Sequence, residues 1–205
     1  MAKLYDYWRS SASYRVRIAL GLAELDYDTQ VVNLLDGAHL EDDHLERNPQ
    51  GLVPALDIDG YTMTQSLAII QYLDETLKLG LLPNLPIDRA RVRALSYAIA
   101  MEIHPVCNLN VAKFAVGESD GNITTEQWMK HFIDKGLRAY EAMIGEGTYS
   151  YGNTVTIADI CLIPQLYNAD RWGVDLTDMP KIRRVREALD AIPAFANAHP
   201  DKCNK

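Results

Sequence analysis

The sequence predicts two dissimilar halves, an α/β unit followed by an all-helical one. Three observations carry that expectation. Short extended runs alternate with amphipathic segments over the first eighty or so residues. The proline-bearing run Leu81-Leu82-Pro83-Asn84-Leu85-Pro86 then interrupts the pattern, and beyond it strand signals almost vanish. The expected boundaries are a first domain over 1–80, a linker over 81–88 and a helical domain over 89–205.

Lys3 to Trp8 is aromatic-rich and reads as a strand. Tyr14 to Ala23 sets Val16, Ala19, Leu20 and Ala23 at helical spacing, with Arg15 and Arg17 off that face as surface or interdomain pairs. Tyr27 to Leu34, with Val31 and Val32, reads as a second strand, and Leu40 to Arg47 as a charged, weakly helical segment ending at Asn48-Pro49. Val53 to Ile58 and Tyr61 to Met63 flank Asp59-Gly60, a hairpin signal. Ser66 to Leu77 gives a helix with Leu67, Ile70, Leu73 and Leu77 on one face. The resulting order, β-α-β-α-β-β-α, is that of a thioredoxin-like domain, with ferredoxin-like and other α/β arrangements close to it. In the second half Arg89–Glu102, Glu126–Ile144, Thr154–Tyr167, Lys181–Ala191 and Pro193–Ala198 read as helices. Thr156-Ile157-Ala158-Asp159 reads as a capping box with Asp at its fourth position, and Val155 and Ile160 could staple it.

Composition narrows the function classes. With 205 residues, 48% hydrophobic and 23% charged, the chain has room for two modest cores. A net charge of −8 argues against bulk affinity for nucleic acid or acidic lipid. No basic region followed by an apolar run suggests a secretory signal, and no window approaches a membrane span. The three cysteines, Cys107, Cys161 and Cys203, are odd in number and widely spaced. That suits a reducing compartment better than a disulfide framework or thiolate zinc site. The histidines form no metal-ligand pair, so the expectation is a cytoplasmic protein without a metal.

Three segments could carry chemistry. The turn Arg9-Ser10-Ser11-Ala12-Ser13 lies between the first strand and the first helix. A helix N-terminus offers unpaired N–H groups and about half a positive charge. It stabilises a thiolate, although serines there can also be plain caps. The turn has no sulfur, which argues against a disulfide reductase and requires any reacting thiol to arrive with a ligand. Asn48-Pro49-Gln50-Gly51-Leu52-Val53-Pro54 is either a loop with two prolines or, with a cis Val53-Pro54 bond, a segment that pairs with an extended peptide. Gln65-Ser66 opens a helix whose end would attract a carboxylate, with Ser66 suited to the N-cap. Together they describe a site for a short anionic peptide bearing a thiol, that is, glutathione.

The run Tyr7-Trp8-Arg9-Ser10-Ser11-Ala12-Ser13-Tyr14-Arg15-Val16-Arg17-Ile18-Ala19-Leu20 closely resembles the signature of the zeta-class glutathione transferases, which include the maleylacetoacetate isomerases. The resemblance continues at Asn48-Pro49, Leu52 to Leu56 and Gln65 to Ile70. In the second half it returns at Pro105 to Leu109, Thr156 to Asp159, Pro164-Gln165, Asn168 to Arg171 and Val174 to Thr177. It implies the glutathione transferase fold, a thioredoxin-like glutathione-binding domain before a helical substrate-binding domain, in a homodimer. By position, Ser11 supports the glutathione thiolate, with Ser10 and Arg9 beside it in the catalytic set. Val53 and Pro54 meet the cysteinyl backbone, and Gln65 and Ser66 hold the γ-glutamyl end. His104 and Asn108 are further candidates for contact with glutathione. Arg9, Arg171, Asn108 and Gln165 are candidates for the substrate, arginine because it binds carboxylate bidentately. The family commonly has cysteine where this chain has Ala12.

The resemblance implies cis-to-trans isomerisation of a conjugated dicarboxylate, maleylacetoacetate to fumarylacetoacetate, in aromatic amino acid catabolism. Thiolate adds to the alkene, the former double bond rotates, and thiolate leaves. The alternatives are a maleylpyruvate isomerase, a zeta-class transferase acting on α-haloacids, and a noncatalytic glutathione-binding protein. Related enzymes have an arginine where this chain has Leu109, and that difference favours maleylacetoacetate over maleylpyruvate for this chain. Cys107 and Cys161 read as core packing rather than catalysis.

Overall fold

The computed structural model describes residues 1–204. Its contacts group Met1–Leu81 with the segment from Ala191 onward, and Leu82–Asp190 forms a second unit.

In the first unit β1 (Ala2–Asp6) leads through α1 (Ser11–Leu22) to β2 (Tyr27–Val31), which pairs parallel with β1. A 3-10 turn (Ala38–Leu40) and α2 (Asp42–Arg47) follow, then β3 (Ala55–Ile58), β4 (Tyr61–Thr64) and α3 (Ser66–Leu77). The sheet order is β2-β1-β3-β4, with β3 antiparallel to both of its neighbours. The Asp59-Gly60 turn has φ of 54° and 81° at its two residues. A two-residue hairpin matched to the strand twist needs positive φ at both positions, which is why Asp-Gly stands there. Leu4 on β1 pairs with Leu56 on β3, and both are fully buried in a core with Ile18, Leu20, Ile69, Ile70 and Leu73.

Helix α1 corrects an expectation. Of its predicted inner face Val16, Ala19 and Leu20 are buried and Ala23, the C-cap, is half-buried, but Arg15 and Arg17, which the sequence reading places at the surface or between domains, are buried too. The reason is that α1 packs against both α3 and α9 (Pro193–Asn197), leaving it little solvent face. Helices α9 and α10 (Pro200–Cys203) therefore group with the first unit, whereas adjacency in sequence suggested one helical domain running to the end. Arg17 fastens this arrangement. One guanidinium nitrogen donates to both carboxylate oxygens of Asp6 at 2.8 Å, a second donates to the Trp8 carbonyl at 2.9 Å, and Nε donates to the Ala198 carbonyl at 3.1 Å.

The second unit holds α4 (Pro86–Tyr97), a π turn (Ala98–Ile103), α5 (Leu109–Gly117), α6 (Thr125–Met143), α7 (Ile157–Arg171) and α8 (Pro180–Asp190), with no strand among its described residues. Proline suits the start of α4, since the first N–H of a helix has no partner to lose. Helix α7 is apolar nearly all round and packs against α4, α6, α8 and the π turn, which marks it as the central helix of the unit. Where α6 passes the π turn, Gly136 leaves room for Ile103, into which any Cβ would run. At the start of α7 the expected capping residues meet. Asp159 accepts from the Thr156 N–H at 2.8 Å, the Thr156 hydroxyl at 3.0 Å and the Ser150 N–H at 2.8 Å. Burial raises the Asp159 carboxyl above its ordinary range, while the hydrogen bonds from Ser150 and Thr156 pull it back.

Replacing Asp6 by alanine strands a buried guanidinium. We expect Asp6→Ala to cost about 3–5 kcal/mol by urea denaturation. A loss below about 1 kcal/mol would mean that the pair behaves as a solvated surface contact.

Candidate active site

The first unit brings three of the expected segments onto neighbouring elements. The turn after β1 closes with the Ser10 N–H donating to the Tyr7 carbonyl at 2.8 Å. Ser10 is the N-cap of α1, its hydroxyl accepting from the Ser13 N–H at 3.2 Å. Ser11 is the first residue of the helix and is buried, and Ala12 beside it is half-buried. Arg9 donates to the Tyr7 hydroxyl at 3.2 Å and lies over the Trp8 ring at 4.8 Å, so its charge is held beside the helix end.

The second segment is the loop before β3. Its Val53-Pro54 peptide bond is cis. Ladder pairing of β3 begins at Ala55, so Val53 lies just outside the sheet. The Val53 side chain packs in a cluster with Tyr5, Tyr7, Val32 and Ala55, with Trp8 against it, which sets this loop beside the turn that carries Ser11. Two residues that the sequence reading did not single out for a role hold the loop from behind. Asn48 Nδ2 donates to the Leu52 carbonyl at 2.7 Å, and His44 Nε2 donates to the same oxygen at 2.9 Å. Both side chains are buried. Nothing in the local sequence marks His44, which sits in a charged segment that reads as a solvated face.

The third segment is the start of α3. Here Gln65, not Ser66, is the N-cap, and Ser66 is the first helical residue. The departure follows from Gln65 having φ of 66°, outside the helical region and sparsely populated by residues other than glycine. Its Nε2 donates to Gln50 Oε1 at 2.6 Å, tying the start of α3 to the loop before β3. Ser66 is buried, and its hydroxyl accepts from an Arg15 guanidinium nitrogen at 3.2 Å, tying α3 to α1. Arg15 is the second feature the sequence reading missed, since the helical spacing alone puts it off the apolar face.

The remaining expected residues lie in the second unit. His104 follows the π turn, its N–H donating to the Ile99 carbonyl at 2.9 Å. Asn108 is the N-cap of α5, its side chain accepting from the Asn110 N–H at 3.2 Å. Arg171 is exposed in the last turn of α7, donates to Asn168 Oδ1 at 3.3 Å and lies over the Tyr167 and Trp172 rings. Gln165 is fully buried in α7, and neither its amide nitrogen nor its oxygen has a hydrogen-bond partner among the described residues.

The first unit's donors suit a thiol-bearing anionic peptide. One helix end carries serines and an arginine beside it, a cis-proline loop lies outside the ladder, and a second helix end has a buried cation behind it. Residues 1–75 match the family model for the glutathione S-transferase N-terminal domain, and residues 124–191 match the model for its C-terminal domain. The chain belongs to the glutathione S-transferase family. It is 56% identical over 204 residues to the maleylacetoacetate isomerase of Rhizobium meliloti (strain 1021), covering 97% of this chain and 96% of that protein. Among solved structures, a bacterial zeta-class maleyl pyruvate isomerase in its holo form aligns with a TM-score of 0.92 at 40% identity, covering 98% of this chain and 97% of the other. The maleylacetoacetate isomerase of Anaeromyxobacter dehalogenans 2CP-1, with dicarboxyethyl glutathione and citrate in its active site, aligns at 0.87 and 40% identity, covering 98% and 95%. These likenesses bear out the zeta-class resemblance and the two-part fold of this transferase.

Cys107 lies close in sequence to His104 and Asn108, yet burial pushes its thiol up to about 11. Such a thiol is protonated at neutral pH and cannot serve as a nucleophile there. Site-resolved mass spectrometry of iodoacetamide labelling should show Cys107 nearly inert at pH 7 and reactive only as the pH approaches 11. Rapid labelling at neutral pH would contradict this.

Proposed function

We propose that this transferase is a glutathione-dependent cis–trans isomerase of a conjugated dicarboxylate, converting maleylacetoacetate to fumarylacetoacetate, and that it works as a cytoplasmic homodimer. The observation that carries the reading is the α1 turn, where a helix end built to hold an anion carries serines and no sulfur. Whatever thiol reacts there is brought by the ligand. Bound glutathione supplies a thiolate, both a good nucleophile and a good leaving group, that opens the substrate's double bond to rotation and then departs.

This chain's own residues have separable tasks. Ser11, at the first position of α1, donates its hydroxyl to the sulfur, and the helix end adds its partial positive charge. Ser10 is committed as the N-cap and shapes the turn rather than meeting the sulfur directly. The Ala12 side chain offers no donor, so the hydroxyl of Ser11 and the backbone N–H groups of the helix end carry the thiolate between them. Val53, outside the ladder and fixed by its packing and by the hold on Leu52, offers its backbone to the cysteinyl unit. Gln65 and Ser66 receive the γ-glutamyl end.

Arg9, held beside the turn by Tyr7 and Trp8, binds one carboxylate of the substrate. In the helical unit Arg171, exposed at the end of α7, is the candidate for a substrate carboxylate, and Asn108 and His104 are further polar groups of that unit. Gln165 is fully buried in α7 with no hydrogen-bond partner for its amide among the described residues, and we assign it a supporting part. The cytoplasmic homodimer rests on family membership and on three widely spaced cysteines, an odd number that suits a reducing compartment.

Maleylpyruvate isomerisation is the second reading, favoured by the likeness to the zeta-class maleyl pyruvate isomerase. Leu109, where an arginine would suit that substrate, weighs against it. The test is to mix the protein with maleylacetoacetate, with and without glutathione, and to follow both the fumaryl isomer and the glutathione. We expect conversion that requires glutathione and leaves its concentration unchanged. Stoichiometric loss of glutathione would indicate a conjugating transferase, and no conversion despite glutathione binding would contradict the isomerase.

A further inference from the structure

The segment of the second unit that carries His104 and Asn108 is not a regular helix. It begins in the π turn Ala98–Ile103, a rare winding that is frequent at functional sites. Pro105 follows His104 and brings no N–H to the backbone. Three turn bonds run through the segment: the His104 N–H donates to the Ile99 carbonyl at 2.9 Å, the Cys107 N–H to the Ile103 carbonyl at 3.1 Å, and the Asn108 N–H to the Pro105 carbonyl at 3.2 Å. Regular α-helix resumes at Leu109.

Helix α6 meets this segment at two points, one on each side of His104. Gly136 lies against Ile103, the residue before the histidine. Trp128 Nε1 donates to the Val106 carbonyl at 2.9 Å, two residues after it and two before Asn108. The support behind both contacts is well anchored. A reciprocal capping box opens α6, with the Thr124 N–H donating to Gln127 Oε1 at 2.8 Å and the Gln127 N–H donating to the Thr124 hydroxyl at 3.1 Å. Trp128 is the next residue, and its ring packs on Phe132 one turn later with centroids 4.6 Å apart. Gly136 stands inside a helix of 19 residues, where glycine is less stable than alanine. Its presence there answers a packing need, because Ile103 fills the room a side chain would take.

We propose that Trp128 and Gly136 are positioning residues for glutathione, through which α6 clamps the backbone on both sides of His104 and sets where His104 and Asn108 stand. The proposal rests on the reading of His104 and Asn108 as contacts to glutathione. Both α6 residues act through the segment rather than on the ligand. Their effect on affinity therefore depends on the side chains that the segment presents.

A double-mutant cycle, read by calorimetry of glutathione binding, tests that dependence. Trp128→Phe keeps an aromatic ring and removes the N–H. It should weaken glutathione binding about three- to tenfold, the scale of one hydrogen bond. In a protein that already carries His104→Ala and Asn108→Ala, the same substitution should change binding by less than about twofold, since the side chains it positions are gone. A merely structural role would give the same loss in both backgrounds. Equal losses in the two backgrounds, or no loss in the first, overturn the proposal. Should Trp128→Phe fail to fold by circular dichroism, Gly136→Ala, which drives a methyl group into Ile103, takes its place in the cycle with the same expected and contrary outcomes. Unchanged glutathione affinity on His104→Ala with Asn108→Ala would overturn the reading of those two residues and this inference with it. A loss there, combined with an α6 effect that ignores the background, overturns this inference alone.

Discussion

The first unit depends on a buried cation placed where four chain segments meet. Arg17 binds Asp6 at the end of β1, the Trp8 carbonyl in the turn and the Ala198 carbonyl near the carboxyl-terminal end, all from the middle of α1. The turn that carries Arg9, Ser10 and Ser11 is therefore braced on both sides, by the strand before it and the helix after it. Such bracing has a chemical purpose. Helix-end donors lower a thiol's pKa only if they point at the sulfur in a fixed geometry, and a turn free to move would lose that advantage to water.

The same logic recurs at the other two segments. The loop before β3 is fixed through one carbonyl, that of Leu52, which accepts from both Asn48 and His44, so the adjoining Val53 and Pro54 inherit a defined position. The start of α3 is fixed by Gln65 to Gln50 and by Ser66 to Arg15. In each case a hydrogen bond from another segment settles where the backbone stands.

The sequence made the strand and helix order legible because each element rests on local chemistry: Asp59-Gly60 for the hairpin, Thr156 and Asp159 for a cap, alternating or helical spacing for the rest. The three site segments were legible for the same reason, since helix starts and prolines announce themselves locally. What stayed hidden was tertiary. Arg15 and Arg17 read as surface or interdomain residues because helical spacing cannot show that α9 returns from the far end of the chain to cover α1. Helix α5 went unread between Pro105 and Thr124, where Asn108 gives a cap without a charged face to complete the pattern. Gln65 took the cap in place of Ser66 because its backbone adopts a positive φ that no propensity would assign to glutamine.

The central claim is that this fold holds a borrowed thiol as a thiolate, and the acidity of that thiol tests it most directly. Spectrophotometric titration of the glutathione complex should give a thiol pKa well below the ordinary value of about 8.5, and Ser11→Ala should move it back upward. A bound thiol that titrates at its ordinary value in the unaltered protein would contradict the account.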